Sequence, residues 1–180
     1  TTFTSPELYI ESNNPQIRSL AAELTHNTSD PCQQVRAFYD YVAENLVYTY
    51  NGRDWGAQAA LGEMGSDCSE YASLMIALAR AAGIPARYLE GVLYLEPATE
   101  ALARREHAWL EVYLPDIGWT TMDPTMGRSL GMRDKYFASN SPDHIIVTRG
   151  QNPSALRGAS YFTHIYWPGP SAEIKIEEFG

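Results

Sequence analysis

Cysteine is scarce: the 180-residue chain has two, Cys32 and Cys68. That excludes a disulfide-built scaffold, and nothing in the sequence forces a bridge between the two. Neither a CxxC pair nor an HExxH motif is present, and no calcium-loop pattern occurs, so no metal or cofactor is expected. Positive charge is also short. Thirteen Lys and Arg face 22 Asp and Glu, a formal net charge of -9, and no basic cluster exceeds Arg104-Arg105. A nucleic-acid or anionic-membrane partner would want a basic face, so neither is expected. Long apolar runs are missing, and no signal-peptide pattern opens the chain, which favours the cytoplasm as its compartment. There is no initiator methionine before Thr1, so the expectation is a segment of a longer protein. No internal repeat or low-complexity tract interrupts it.

What is present is an ordinary globular balance, 44% hydrophobic and 19% charged residues. It fits one domain over residues 1–180 with a sizeable core. Residues 1–13 read as an extended lead-in. Pro15 suits a first helical position, and Ile17, Leu20, Ala21 and Leu24 follow at helical spacing. Asp30-Pro31 starts a second helix with Val35, Phe38, Tyr39, Val42 and Leu46 on one stripe. Cys32 falls in its first turn as a passive residue. Residues 48–66 read as irregular. A third helix runs from Cys68 to Ala82, stopped by Gly83 and Pro85. Strand-like segments follow: "ARYLEGVLYL", "HAWLEVYL", "WTTMDPT", "DHIIVTRG" and "YFTHIYWPG". Helices first and strands after predict an α+β fold with an antiparallel sheet.

Cys68 opens the third helix behind Asp67, a capping residue, with Glu70 at the spacing of a capping box. Unpaired N–H groups and the positive end of the helix dipole meet there, and both favour a thiolate. The same N–H groups suit an oxyanion. A plain alternative is a small buried hydrophobe.

A thiolate nucleophile needs a base, and the base an orienter. Of the four histidines, His26 reads as solvated, and His144 and His164 as structural residues in or beside late strands. His107 opens an alternating strand: Ala108, Leu110, Val112 and Leu114 share one face, His107, Trp109, Glu111 and Tyr113 the other. If the leucine face covers the helix, His107 points away from Cys68. The alternative is that His107 and Trp109 line the helix-facing side. A two- or four-residue loop would put Asp123 on the wrong face. A three-residue loop, Pro115 to Ile117 with Gly118 left-handed, would pair Asp123 with Trp109 and make it the diagonal neighbour of His107. Asp123 could then hold the imidazole, or it could be only a turn residue before Pro124.

The stretches "GSDCSEYASLMIALARAAGIPARYLEGV" and "HAWLEVYLPDIGWTTMDPT", with the Tyr/Trp loop before them, resemble the transglutaminase-like superfamily of cysteine enzymes over about residues 35–126. The resemblance implies a papain-like core, with N-terminal helices and a central Cys-bearing helix packed on the sheet. It also implies a triad of Cys68 as nucleophile, His107 as base and Asp123 as orienter, with the Cys helix brought against the His and Asp strands. An aromatic or amide side chain upstream completes the oxyanion site in such proteins. Tyr48, Tyr50, Trp55 and Gln58 are the candidates, with Trp55 preferred. Trp109 could wall the cleft or fill the core.

The function so implied is acyl transfer on peptide or protein amides through a thioester. Water as acceptor gives a protease or amidase, and an amine gives a cross-linker; hydrolysis ranks first. Two other readings stand beside it: a non-catalytic peptide- or protein-binding module of the same fold, and a metal site of Cys68, His107 and Asp123.

Overall fold

Helix starts follow the capping residues. The computed structural model describes residues 3–50, 54–62, 65–94 and 104–150. Helix α1, Pro15–Thr25, begins where the Asn14 side chain accepts from the Gln16 and Ile17 amides. Helix α2, Pro31–Asn45, begins where Asp30 accepts from Cys32 and Gln33. Each cap satisfies amides that the helix itself leaves unpaired and is worth about 1 kcal/mol. A single turn, α3 (Ala57–Ala60), lies inside the stretch read as irregular.

Helix α4, Cys68–Ala81, carries the full capping box: Asp67 caps the first turn, and the Glu70 carboxylate returns to the Asp67 amide. Gly83, with φ of 80°, ends it. Every residue from Ser69 to Arg80 is buried, so α4 is apolar all round and must be central. It packs against α1, α2 and α3 on one side and the sheet on the other. Buried Arg80 is satisfied at this helix's far end by Glu7, the Ser5 carbonyl and the Ala86 carbonyl.

Among the described residues, four antiparallel strands form the sheet: β1 Ala86–Tyr94, β2 Arg104–Leu114, β3 Gly118–Met122 and β4 His144–Arg149, in the order β3-β2-β1-β4. The fold is therefore α+β, as expected. The β2–β3 register pairs Leu114 with Gly118 and Leu110 with Met122, the register of the three-residue loop. Gly118 has φ of 87°, and Asp116 is also left-handed.

Three expectations change. The lead-in is not extended where it is described: Glu7 and Ile10 exchange backbone hydrogen bonds around Tyr9, and the turn drops Ile10 into the core. The stretch after Pro124, which the sequence reads as a loop rich in Gly, Ser and Asn, folds into three short 3-10 turns within residues 126–136. The leucine face of β2 packs in the α4 core, so His107 and Trp109 stand on the opposite face, not on the helix-facing side. The segment "YFTHIYWPG" lies outside the described residues.

Candidate active site

The site forms where β3 ends. Its last sheet pair is Leu110 with Met122, and the Asp123 amide turns away to the Tyr136 carbonyl. The edge of β2 at His107 is thus uncovered by β3. The first turn of α4 brings the half-buried Cys68 near enough to His107 to help raise the imidazole's pKa.

His107 and Asp123 are both buried. The His107 Nε2–H donates to Asp123 Oδ2 at 2.7 Å. That leaves Nδ1 as the ring nitrogen not engaged by Asp123. Burial alone would push the imidazole toward its neutral form. The Asp123 charge and hydrogen bond, helped by Cys68, outweigh burial and raise the His107 pKa to about 10. Asp123 responds in kind: burial opposes its charge, yet His107 and His144 hold its carboxyl well below the usual carboxylate range.

Asp123 is held from several sides. Its Oδ1 accepts from the Met126 amide at 3.0 Å, and its Oδ2 also accepts from His144 Nε2 at 2.9 Å. Its backbone carbonyl accepts from the Gly127 amide and the Tyr39 hydroxyl. His144 was read as a structural residue, and the sequence carries no local signal for its contact, which spans 21 positions. Trp109 is buried against both imidazoles, stacked on His107 at 5.8 Å and edge-on to His144 at 4.8 Å. It packs the site from within rather than walling an open cleft.

The upstream candidates separate. The Trp55 amide donates to Glu70 Oε1 at 2.8 Å, which ties this partly exposed tryptophan to the first turn of the Cys68 helix. Gln58 is exposed, and its amide is tied to Glu11 instead. Tyr48 lies under the Arg128 guanidinium at 4.2 Å, and Tyr50 is exposed. Glu70 itself is pushed up to about 7, by burial first, against the hydrogen bonds from Trp55 and Asp67 that favour its charge.

His107, Asp123 and His144 offer ligand atoms within 4.8 Å of one another, close enough to receive a cation; Cys68 is not part of that group. Each of the three is already committed to a hydrogen bond, so a donor–acceptor chain accounts for their closeness.

A central helix that opens on cysteine, packed beside a His–Asp pair on an antiparallel sheet, defines a papain-like class of fold. The model of the transglutaminase-like superfamily matches residues 18–124, more than half of the chain, and the chain belongs to that superfamily. The match begins earlier than residue 35 and takes in most of α1, which packs on α4. An uncharacterised Bacillus subtilis protein, YebA, is 31% identical over 144 residues, covering 70% of this chain and 20% of that protein. A protein-glutamine gamma-glutamyltransferase of Pseudomonas aeruginosa is 34% identical over 122 residues, covering 62% and 18%. The chain thus spans about a fifth of the length of these relatives. Among solved structures, a candidate cysteine protease from Cytophaga hutchinsonii shares the fold, with a TM-score of 0.64 at 22% identity over 83% of this chain and 46% of that one. The periplasmic domain of TgpA from Pseudomonas aeruginosa has a TM-score of 0.53 at 32% identity over 67% and 45%.

Proposed function

We propose that the chain is a cysteine-nucleophile acyl-transfer enzyme acting on peptide or protein amides. One observation carries the reading: a buried imidazole bonded through Nε2 to an ionised carboxylate, with a helix-borne thiol close enough to help raise its pKa. In the first half-reaction the Cys68 thiolate attacks the amide carbonyl carbon and a C–S bond forms. His107 gives its proton to the leaving nitrogen, the C–N bond breaks, and an amine departs. In the second half, His107 takes a proton from water or an amine as that group attacks the thioester. The C–S bond breaks, and Cys68 leaves as thiolate. Asp123 holds the imidazolium in place through both halves.

The oxyanion falls at the first turn of α4. There Ser69, Glu70 and Tyr71 give their amides to Asp67, which leaves the Cys68 N–H uncommitted among the described residues. Trp55, tied to the same turn, stands as its upstream neighbour. Hydrolysis is the first expected outcome. The resemblance to a protein-glutamine gamma-glutamyltransferase supports a glutamine side chain as acyl donor and keeps an amine acceptor as the second.

Alkylation of the intact protein with iodoacetamide, read by peptide mass mapping, tests the nucleophile. Cys68 should react at least about tenfold faster than a free model thiol at about pH 6.5. Cys68→Ala should keep the fold and lose that label. A Cys68 no faster than the model thiol would leave the non-catalytic binding module as the better reading.

A further inference from the structure

His107 and Asp123 are not the end of the hydrogen-bonded chain. Asp123 Oδ2 takes a second donor, His144 Nε2, at 2.9 Å, and the other ring nitrogen of His144 lies 2.9 Å from Asp143 Oδ1. Asp143 is fixed in turn through its Oδ2, which accepts from the Tyr136 hydroxyl at 2.8 Å and Lys135 Nζ at 3.1 Å. The chain therefore runs from Lys135 and Tyr136 through Asp143, His144 and Asp123 to His107. It joins the start of β4 and a 3-10 turn to the end of β3.

Resting on the acyl-transfer reading, we propose that His144 is a positioning residue, which clamps Asp123 so that the carboxylate stays aimed at His107. The geometry gives the reason. Asp123 lies just beyond the last β2–β3 sheet pair, outside the ladder that fixes the residues of β3. Among the described residues, Met126 alone holds Oδ1. A second donor on Oδ2 triangulates the group, and a donor anchored at its far side cannot follow the carboxylate if it rotates. Supporting groups of this kind orient the residues they touch. The ring of His144 is also wedged between Trp109 at 4.8 Å and Tyr136 at 5.7 Å, so its plane is set by packing as well. The charged or titratable groups facing it are Asp123, Asp143, Tyr136 and His107; those facing His107 are Asp123, Cys68 and His144.

Two variants separate donor from ring. His144→Phe keeps an aromatic plate between Trp109 and Tyr136 and removes the donor. His144→Gln returns an amide N–H near the Nε2 position. In the full chain, Cys68 alkylation at pH 7 should slow about tenfold in His144→Phe, the scale for losing an outer partner of a working residue. The NMR titration midpoint of His107 should fall with it, because a loosened Asp123 no longer supports the imidazolium. His144→Gln should restore both. Unchanged rate and midpoint in His144→Phe, beside a fast wild type, would overturn the role of His144 alone. Equal losses in both variants would reduce His144 to packing and also overturn it. A wild-type Cys68 no faster than a model thiol would instead remove the acyl-transfer reading, and this proposal with it. Should His144→Phe fail to fold, the wild-type ring N–H signals decide: a His144 Nε2–H protected from exchange and perturbed in Asp123→Asn supports the clamp, and one exchanging freely with water overturns it.

Discussion

Asp123 decides the protonation state of its neighbour, and that has a consequence for stability. The His107 pKa is raised from 6.5 to about 10 in the fold, against burial, mainly by Asp123. A raised folded value means that the stabilisation is full below 6.5 and is lost as pH rises through about 10. Asp123 is depressed, so its share is present above its ordinary value of 3.8 and is lost only in acid. Replacing Asp123 by Asn leaves the buried imidazole with its desolvation unopposed. Urea midpoints measured across this range should therefore fall for the wild type between pH 6.5 and 10 more steeply than for Asp123→Asn. Glu70 titrates in both proteins, so the difference between them isolates the His107–Asp123 pair. Parallel curves would contradict the coupling. The same scale shows why part of the site was legible. Asp67, Cys68 and Glu70 announce themselves because capping is local grammar, complete within four residues. His144 gives no such sign: its ties to Asp123 and Trp109 exist only after the chain has passed through three 3-10 turns.

At the scale of elements, the strands position the site through register and close approach. The pairing of Leu114 with Gly118 sets the parity that carries Asp123 to the His107 face, and a one-residue slip would invert it. That parity could be read from the Pro-Asp-Ile-Gly turn. The face opposite the helix could not, because both faces of β2 carry large apolar groups and alternation alone does not say which one the helix covers. On the other side of β2, Gly91 lets β4 come close. A Cβ there would lie 1.9 Å from the Ile145 carbonyl oxygen and 2.9 Å from Trp109 Cη2. The first of these is backbone and cannot swing aside, and it sits at the irregularity between Glu90 and Gly91. Gly91→Ala should push β4 and its His144 away from the sheet. The expected cost is about 1–3 kcal/mol in urea unfolding, the range for overpacking, with slower Cys68 alkylation. A variant of wild-type stability and reactivity would contradict this account of β4. The lead-in was misread as extended for a related reason: its turn is held by Arg80, from 73 positions further along, so no local pattern records it.

Over the whole molecule, the arrangement amounts to one buried helix that delivers a thiol to the open edge of a sheet. The helix cluster and the sheet pack on opposite sides of α4, which opens on Cys68. The α+β architecture followed from element order, and the family from the Cys, His and Asp blocks together. Neither names the acceptor that resolves the acyl group, which depends on surroundings that the shared fold leaves free to vary. The convergence of Cys68, His107 and Asp123 on one substrate carbonyl is the claim on which the rest depends. Its most direct test is to mix the full chain with a library of glutamine-containing peptides, quench in acid and map Cys68 by mass spectrometry. The account predicts a peptide acyl group on the Cys68 sulfur, discharged by water or an added primary amine, and absent in His107→Ala. No acyl adduct on Cys68 with any peptide, or the same adduct in His107→Ala, would contradict it.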